Sequence, residues 1–366
     1  MKICNIGKII TTKIDGTNLT RDNYISTENM LSNCGGVVAS SSVPSTKVTR
    51  FSKRDVLLSN IRPYFKKVWF ARFDGGCSND VICIRANEKD CLSLYLYYAI
   101  STDSFIDSFS ASSKGTKMPR GDKNALLSYE IPDRTIDEQQ HIVDILGSID
   151  DSIENNEFLI KKTNDFLADL FLKYSAKATD YKRLDEICSI ITKGTTPTTL
   201  KRSFVDYGVP FVKVESLTDS HQIDSSKLAF IDTETHEMLQ RSKLKYKDLL
   251  ISIAGTIGRF ALVPKTMPQA NTNQAVALVR GSIVSQEYLY TLFLSGLCDE
   301  QIKAKTVQAV QANLSLSVIG SLSVPYILDN TFNKQINSLY EYIENLAEKN
   351  NKLYELKQLY LHKFFG

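Results

Sequence analysis

The sequence predicts an α+β protein in which one unit, a small globular domain followed by a long helix, occurs twice. Three observations predict it. Residues 135–174 carry apolar residues at heptad spacing with no proline, and residues 333–365 carry a second stripe of the same kind. A single shift of 193 positions aligns words outside the helices as well as within them. The intervening stretches hold short β-rich runs and turn formers, with helical spacing in only a few places. The expected divisions are a first globular unit over 1–135, a helix over 136–176, a second unit over 177–325 and a helix over 326–366. A stripe this narrow needs a partner helix, so the two helices are expected to pair as an antiparallel coiled coil.

The first globular unit reads mainly as short strands and loops. RDVLLSNIRPYFKKVWFARF (54–73) contains two β-rich runs about a turn at Pro63, and DVICIRAN (80–87) is another strand. LSLYLYYAISTDSFIDSF (92–109) has helical spacing, with Leu92, Leu96 and Ile100 on one side. SSKGTKMPRGDKN (112–124) is polar, basic and rich in breakers, which predicts a surface loop leading to a short strand that ends at Pro132.

The first helix starts at Thr135, which with Glu138 fits a capping box. Leu146, Ile153, Ile160, Leu167 and Tyr174 form one row of its stripe, and Ile149 and Leu170 sit on a second. Asn156 and Thr163 share that second row, where a buried Asn would set the register of a helix pair. About forty residues at about 1.5 Å each make a rod of roughly 60 Å. KATDYKRLDEIC (177–188) reads as a linker. Beyond it, ITKGTTPTTLKRSF (191–204) turns at Gly194 and Pro197, DLLISIAGTIGRFALVP (248–264) is two strands joined at Ala254–Gly258, and QAVALVRG (274–281) is a third.

The repeat explains this order. Asp55, Leu57 and Ser59 align with Asp248, Leu250 and Ser252, Tyr95-Leu96-Tyr97 with Tyr288-Leu289-Tyr290, and Ile131-Pro132 with Val324-Pro325. Leu146, Ile153, Ile160 and Phe171 align with Leu339, Leu346, Leu353 and Phe364. Near the starts a shift of 181 brings Ile6, Ile9, Ile10 and Thr11 onto Ile187, Ile190, Ile191 and Thr192, so the second copy holds a net insertion. Heptad helices resemble one another by composition, but shared Tyr-Leu-Tyr and Asp-x-Leu-x-Ser words at one shift require a duplication. The period far exceeds that of solenoid repeats.

Composition narrows the functional classes. The 43% of apolar residues suffices for ordinary cores. No stretch is long and apolar enough for a membrane span, and MKICNIGKIITTKIDG lacks a leader's apolar core. The seven cysteines include no Cys-x-x-Cys pair and only four histidines accompany them, so idle thiols in a reducing cytoplasm are expected and no metal. The net charge of +3 is unevenly divided: +6 over residues 1–135, −6 over 136–180, +3 over 181–325 and zero over 326–366. A polyanion is therefore attracted to the globular units and repelled by the first helix.

Motifs for catalysis are absent. There is no phosphate loop, dinucleotide fingerprint, nucleophile elbow, metalloprotease helix or EF-hand, no amino-methyltransferase word and no nuclease core. Gly255-x-x-Gly258 fits a tight hairpin better than an anion cradle, and His141 reads as surface polar. What remains is a set of loops suited to nucleic acid. In the first unit these carry Lys114, Lys117, Arg120 and Lys123, with a second basic and aromatic cluster of Arg62, Tyr64, Lys66 and Lys67. In the second unit the candidates are Lys193, Thr195, Thr196, Lys201, Arg202 and Arg259, with Gln308, Gln311 and Asn313 as amides suited to adenine. Any one of these residues is as well explained as solvated surface.

This arrangement resembles the specificity subunit of type I restriction–modification systems over essentially the whole chain. IPDRTIDEQQHIVDILGSIDDSIENN (131–156) is similar to that family's strand-Pro-x-x-x-x-x-Glu-Gln-x-x-Ile helix start. KGTKMPRGDKNALLSYEIP and DLLISIAGTIGRFALVP…NTNQAVALV resemble closing and central segments of its recognition domains, whereas TFNKQI departs from the family's helix start. The resemblance implies two target-recognition domains and two spacer helices, no catalysis and no cofactor. It further implies a bipartite, asymmetric double-stranded DNA target, and two modification (methyltransferase) subunits and motor–nuclease restriction subunits as partners. The acidic first helix would then face protein. Two other readings stay open: a DNA-modifying enzyme with an unrecognised active site in one globular unit, and a coiled-coil adaptor that binds no DNA.

Overall fold

The computed structural model describes residues 1–267, 269–307 and 313–366. The chain divides into two compact units, Met1–Ile153 with Lys352–Gly366, and Glu154–Asn351.

The first unit is built on an antiparallel sheet with strand order Gly7–Ile9, Val81–Ala86, Val56–Ser59, Val68–Phe70. Val56–Ser59 is buried at every residue because both of its faces are covered. Val56 and Leu58 enter one core with Ile82 and Ile84, while Leu57 enters another with Cys83, Phe51 and Trp69. A second sheet runs Lys13–Asp15, Lys47–Phe51, Gly75–Cys77, Tyr24–Ile25, with its last pair parallel. Gly75 is required there, since a Cβ would lie 2.2 Å from the Asn23 carbonyl oxygen.

The stretch 92–109 is two helices, Ser93–Ile100 and Asp103–Ala111, rather than one. Ser101 Oγ donates to the Tyr97 carbonyl at 2.7 Å and Thr102 Oγ1 caps the Phe105 N–H at 3.3 Å, so side chains replace the helical ladder at the break. The expected strand before Pro132 is also absent. A short helix, Lys123–Ser128, precedes an isolated bridge between Lys2 and Glu130, too short a pairing to make a strand.

The second unit repeats the main sheet in the same order: Cys188–Lys193, Val276–Gly281, Leu249–Ser252, Phe260–Leu262. Its second sheet is Ala229–Ile231, Val209–Val212, Asn271–Thr272, again with a final parallel pair. Residues 177–188 are not a linker. Tyr181–Arg183 pairs with Ser323–Pro325, and Leu184–Ile187 is a helical turn held by the Arg183 N–H on Glu186 at 2.6 Å.

The aspartate and the first tyrosine of the shared words make the same bonds in both copies. Asp55 accepts from Arg85 at 2.7 Å through each oxygen, and Asp248 accepts from Arg280 at 2.7 and 2.6 Å. Tyr95 donates its hydroxyl to the Pro132 carbonyl, and Tyr288 to that of Pro325. Asp-x-Leu-x-Ser and Tyr-Leu-Tyr therefore serve the scaffold.

The long helices are Ile136–Ser175 and Asn330–Phe365. The first begins with the capping box: Thr135 Oγ1 accepts the Glu138 N–H at 3.3 Å, and Glu138 accepts the Thr135 N–H at 2.9 Å. Gln139 is fully buried, accepting from the Leu92 N–H at 2.9 Å and donating to the Asp90 and Arg134 carbonyls at 3.0 Å. The second helix has Phe332 at that place, in an aromatic cluster with Phe171 and Tyr288, and starts under Asp329, which accepts the Phe332 N–H at 2.8 Å.

Within the second unit the helices run antiparallel. Phe171 packs on Phe332 with ring centroids 5.7 Å apart, and Asn156 Nδ2 donates to Asn350 Oδ1 at 2.7 Å. Within the first unit Leu146 shares a core with Leu361 and Phe365, and Lys357 donates to Asp150 at 2.5 Å. Leu146, Ile153, Ile160 and Leu167 are all buried, and His141 is exposed. No helix among the described residues is long and apolar enough to cross a membrane.

Candidate nucleic-acid interface

In the first unit the fold joins the two basic clusters into one surface. The chain leaves Val56–Ser59 at Asn60, turns through Arg62 and Lys66, both left-handed with φ of 48° and 52°, and re-enters the sheet at Val68. Loop 112–121 closes onto this turn. The Arg62 N–H donates to the Pro119 carbonyl at 2.8 Å, the Gly121 N–H to Asn60 at 3.1 Å, and Lys114 and Arg120 exchange backbone bonds at 2.9 and 3.0 Å. Arg120 holds Asp80 at 2.8 Å and Lys114 lies 3.4 Å from Asp122. Tyr64, Lys117, Met118 and Lys123 are exposed.

Two of the first unit's candidates are turned inward. Lys66 pairs with Asp103 at 2.7 Å with only 12% of its side chain exposed. Lys67 donates to the Thr27 carbonyl at 2.6 Å, and burial lowers its pKa below the ordinary lysine value. Both hold the turn in place rather than face solvent.

In the second unit the candidates sit on loops that leave the sheets. Lys193 ends the strand Cys188–Lys193 and is exposed. Thr195 Oγ1 accepts from Arg241 at 3.3 Å, and the Thr196 N–H donates to Gln274 at 3.1 Å. Lys201 is exposed and left-handed, with φ of 58°. Arg202 is held by Glu234, Asp232 and the Thr235 hydroxyl, and the hydrogen bond to Glu234 is the largest influence raising its pKa. Arg259 makes a two-pronged pair with Asp219 at 2.7 and 2.9 Å across the hairpin that contains Gly255 and Gly258. That stretch is a hairpin turn, with the Gly258 N–H on the Ser252 carbonyl at 3.0 Å. Asn313 is exposed, whereas Gln308 and Gln311 lie outside the described residues.

The acidic partners were not legible from sequence, since Asp80 and Asp219 stand 40 positions from the arginines they hold. Exposed pairs of this kind are worth about 0–1 kcal/mol, so an incoming phosphate or base edge can displace them. Tyr207, 90% exposed, and its neighbour Phe204 carry no charge and so lie outside the basic candidates. Two aromatic residues in a polar loop were the available signal.

The sequence model of the type I restriction modification DNA specificity domain matches residues 2–163 and, separately, residues 177–358. The chain belongs to this family. Its function is DNA target recognition in a type I restriction–modification system, as a specificity component rather than a catalytic one. This specificity subunit is 23% identical over 303 residues to the type I restriction enzyme MjaIX specificity subunit of Methanocaldococcus jannaschii, across 75% of this chain and 69% of that protein. The type I restriction–modification S subunit from M. genitalium has the same fold, with a TM-score of 0.56 at 17% identity, over 100% of this chain and 95% of that one. The HsdS subunit from Thermoanaerobacter tengcongensis aligns with a TM-score of 0.39 at 18% identity, over 100% and 95% of the two chains.

Proposed function

We propose that this specificity subunit reads a bipartite, asymmetric double-stranded DNA target in the cytoplasm. Residues 1–135 and 177–325 act as its two target-recognition domains, and 136–176 and 326–366 as spacer helices. It brings two methyltransferase subunits and motor–nuclease restriction subunits to that target. One observation carries this reading: the two units share a scaffold down to individual hydrogen bonds, while the residues on their loops differ. One scaffold with two loop sets suits two unlike half-sites. Apart from the inward-facing Lys66 and Lys67, the loop residues named above are the proposed DNA contacts, with the exposed Lys117, Lys123, Lys193 and Lys201 suited to phosphates.

The test uses the full chain assembled with its methyltransferase subunits, selecting duplexes from a randomised library at several salt concentrations. Two unlike half-sites separated by unspecified bases are expected, with affinity falling steeply as salt rises. A palindromic selected site, or methyl transfer to DNA by the purified chain alone, would overturn the reading.

A further inference from the structure

The two copies can be aligned bond by bond where the sheet hands over to the reading loops. In the first unit the Asn60 carbonyl, just beyond the strand Val56–Ser59, accepts the Gly121 N–H at 3.1 Å. In the second unit the Ile253 carbonyl, just beyond Leu249–Ser252, accepts the Leu314 N–H at 2.9 Å. Acceptors and donors are both related by the repeat shift of 193. The residues immediately before the two donors, Arg120 and Asn313, therefore leave the same point of the same scaffold, and both are exposed. The shift of 193 read on either side of the loops makes the same assignment, although residues 112–124 and 305–322 share no word.

The surroundings differ to match. The Asn60 N–H donates to the Asp80 carbonyl, and the Ile253 N–H to that of Ala275, each at 2.8 Å, so Asp80 and Ala275 are also equivalent. Asp80 holds one prong of the Arg120 guanidinium at 2.8 Å, leaving its other donors free to point outward. The second copy has an alanine there and a short amide that needs no such support.

Arginine matches the O6 and N7 acceptors of guanine, and asparagine matches the N6 donor and N7 acceptor of adenine. We propose that Arg120 and Asn313 are equivalent base-reading residues, Arg120 reading a guanine in the first half-site and Asn313 an adenine at the corresponding place in the second. Asp80 is a positioning residue for Arg120. The assignment rests on the proposed reading of DNA by both units.

The test uses the full chain with its methyltransferase subunits and sequence selection from a randomised duplex library. Arg120→Asn should convert one position of the first half-site from guanine to adenine, by roughly tenfold or more in preference. The second half-site should stay unchanged. Asn313→Arg should do the converse in the second half-site alone. Asp80→Asn should relax preference at the Arg120 position while leaving the salt dependence of binding as it was, which a merely structural role would not do. Uniformly weaker binding with Arg120→Asn and the same selected sequence would make Arg120 a phosphate contact and overturn the assignment. If the wild-type complex selected no sequence, both this assignment and the reading beneath it would fail.

Discussion

Arg62 occupies a conformation that its side chain disfavours. Its φ is 48°, while the residue at the matching place in the second copy is Gly255, with a φ of 73° and open space where a Cβ would stand. A left-handed non-glycine residue costs about 1 kcal/mol or more, and such strain gathers at functional sites. Arg62→Gly should therefore leave the melting temperature unchanged or raise it slightly, while weakening DNA binding by roughly 1 kcal/mol or more. A fall in melting temperature with unchanged binding would make Arg62 a scaffold residue. The lysines divide in the same way. Lys117→Ala should weaken binding to all sequences alike and reduce the salt slope by about 1. Lys66→Ala, which removes a side chain packed beside Asp103, should lower the melting temperature and leave the salt slope alone.

Among the elements, the helix pair in the second unit is the one whose specificity can be measured. Asn156 and Asn350 meet at 2.7 Å, and Asn350 is only 6% exposed. A buried amide without a good partner would make Asn156→Leu stabilising. The structure supplies one, so the single substitution should destabilise by about 1 kcal/mol, the usual cost of breaking a partly buried hydrogen bond. Asn156→Leu with Asn350→Leu should instead raise the melting temperature, since two apolar residues replace two desolvated amides. The double variant should also loosen the spacing preference between half-sites, because the amide pair favours one register. A double variant no more stable than the single one would show that the register there rests on neighbouring side chains.

At the scale of the molecule, the first unit is not completed by the residues that precede the second. Leu361 and Phe365 are buried in its core, and Phe365 lies 5.0 Å from Tyr95 between ring centroids. A chain cut after Lys177 therefore lacks part of that core and exposes Leu146 and Ile153. It is expected to associate with a second copy of itself, the duplicated helix standing in for the missing one, and with methyltransferase subunits to select an inverted repeat of the first half-site. Sedimentation measurements and library selection check this. A stable monomer, or selection of the original asymmetric site, would show that the two helices are not interchangeable.

The duplication, the α+β class and the two helical stripes were readable directly, because heptad spacing, capping-box residues and repeated words are local and survive without coordinates. Thr135 with Glu138, and Asp-x-Leu-x-Ser seen twice, are of this kind. The breaks and pairings were not. Ser101 and Thr102 divide a helix by bonding to backbone four and three residues away, and Tyr181–Arg183 becomes a strand only because Ser323–Pro325 lies beside it. The interface divides along the same line. Composition located the basic loops. Which lysines face inward, which arginines are held by aspartates 40 residues away, and that Gly121 and Leu314 bond to the same point of the two sheets were decided by the tertiary structure, since each depends on contacts between segments far apart in the chain.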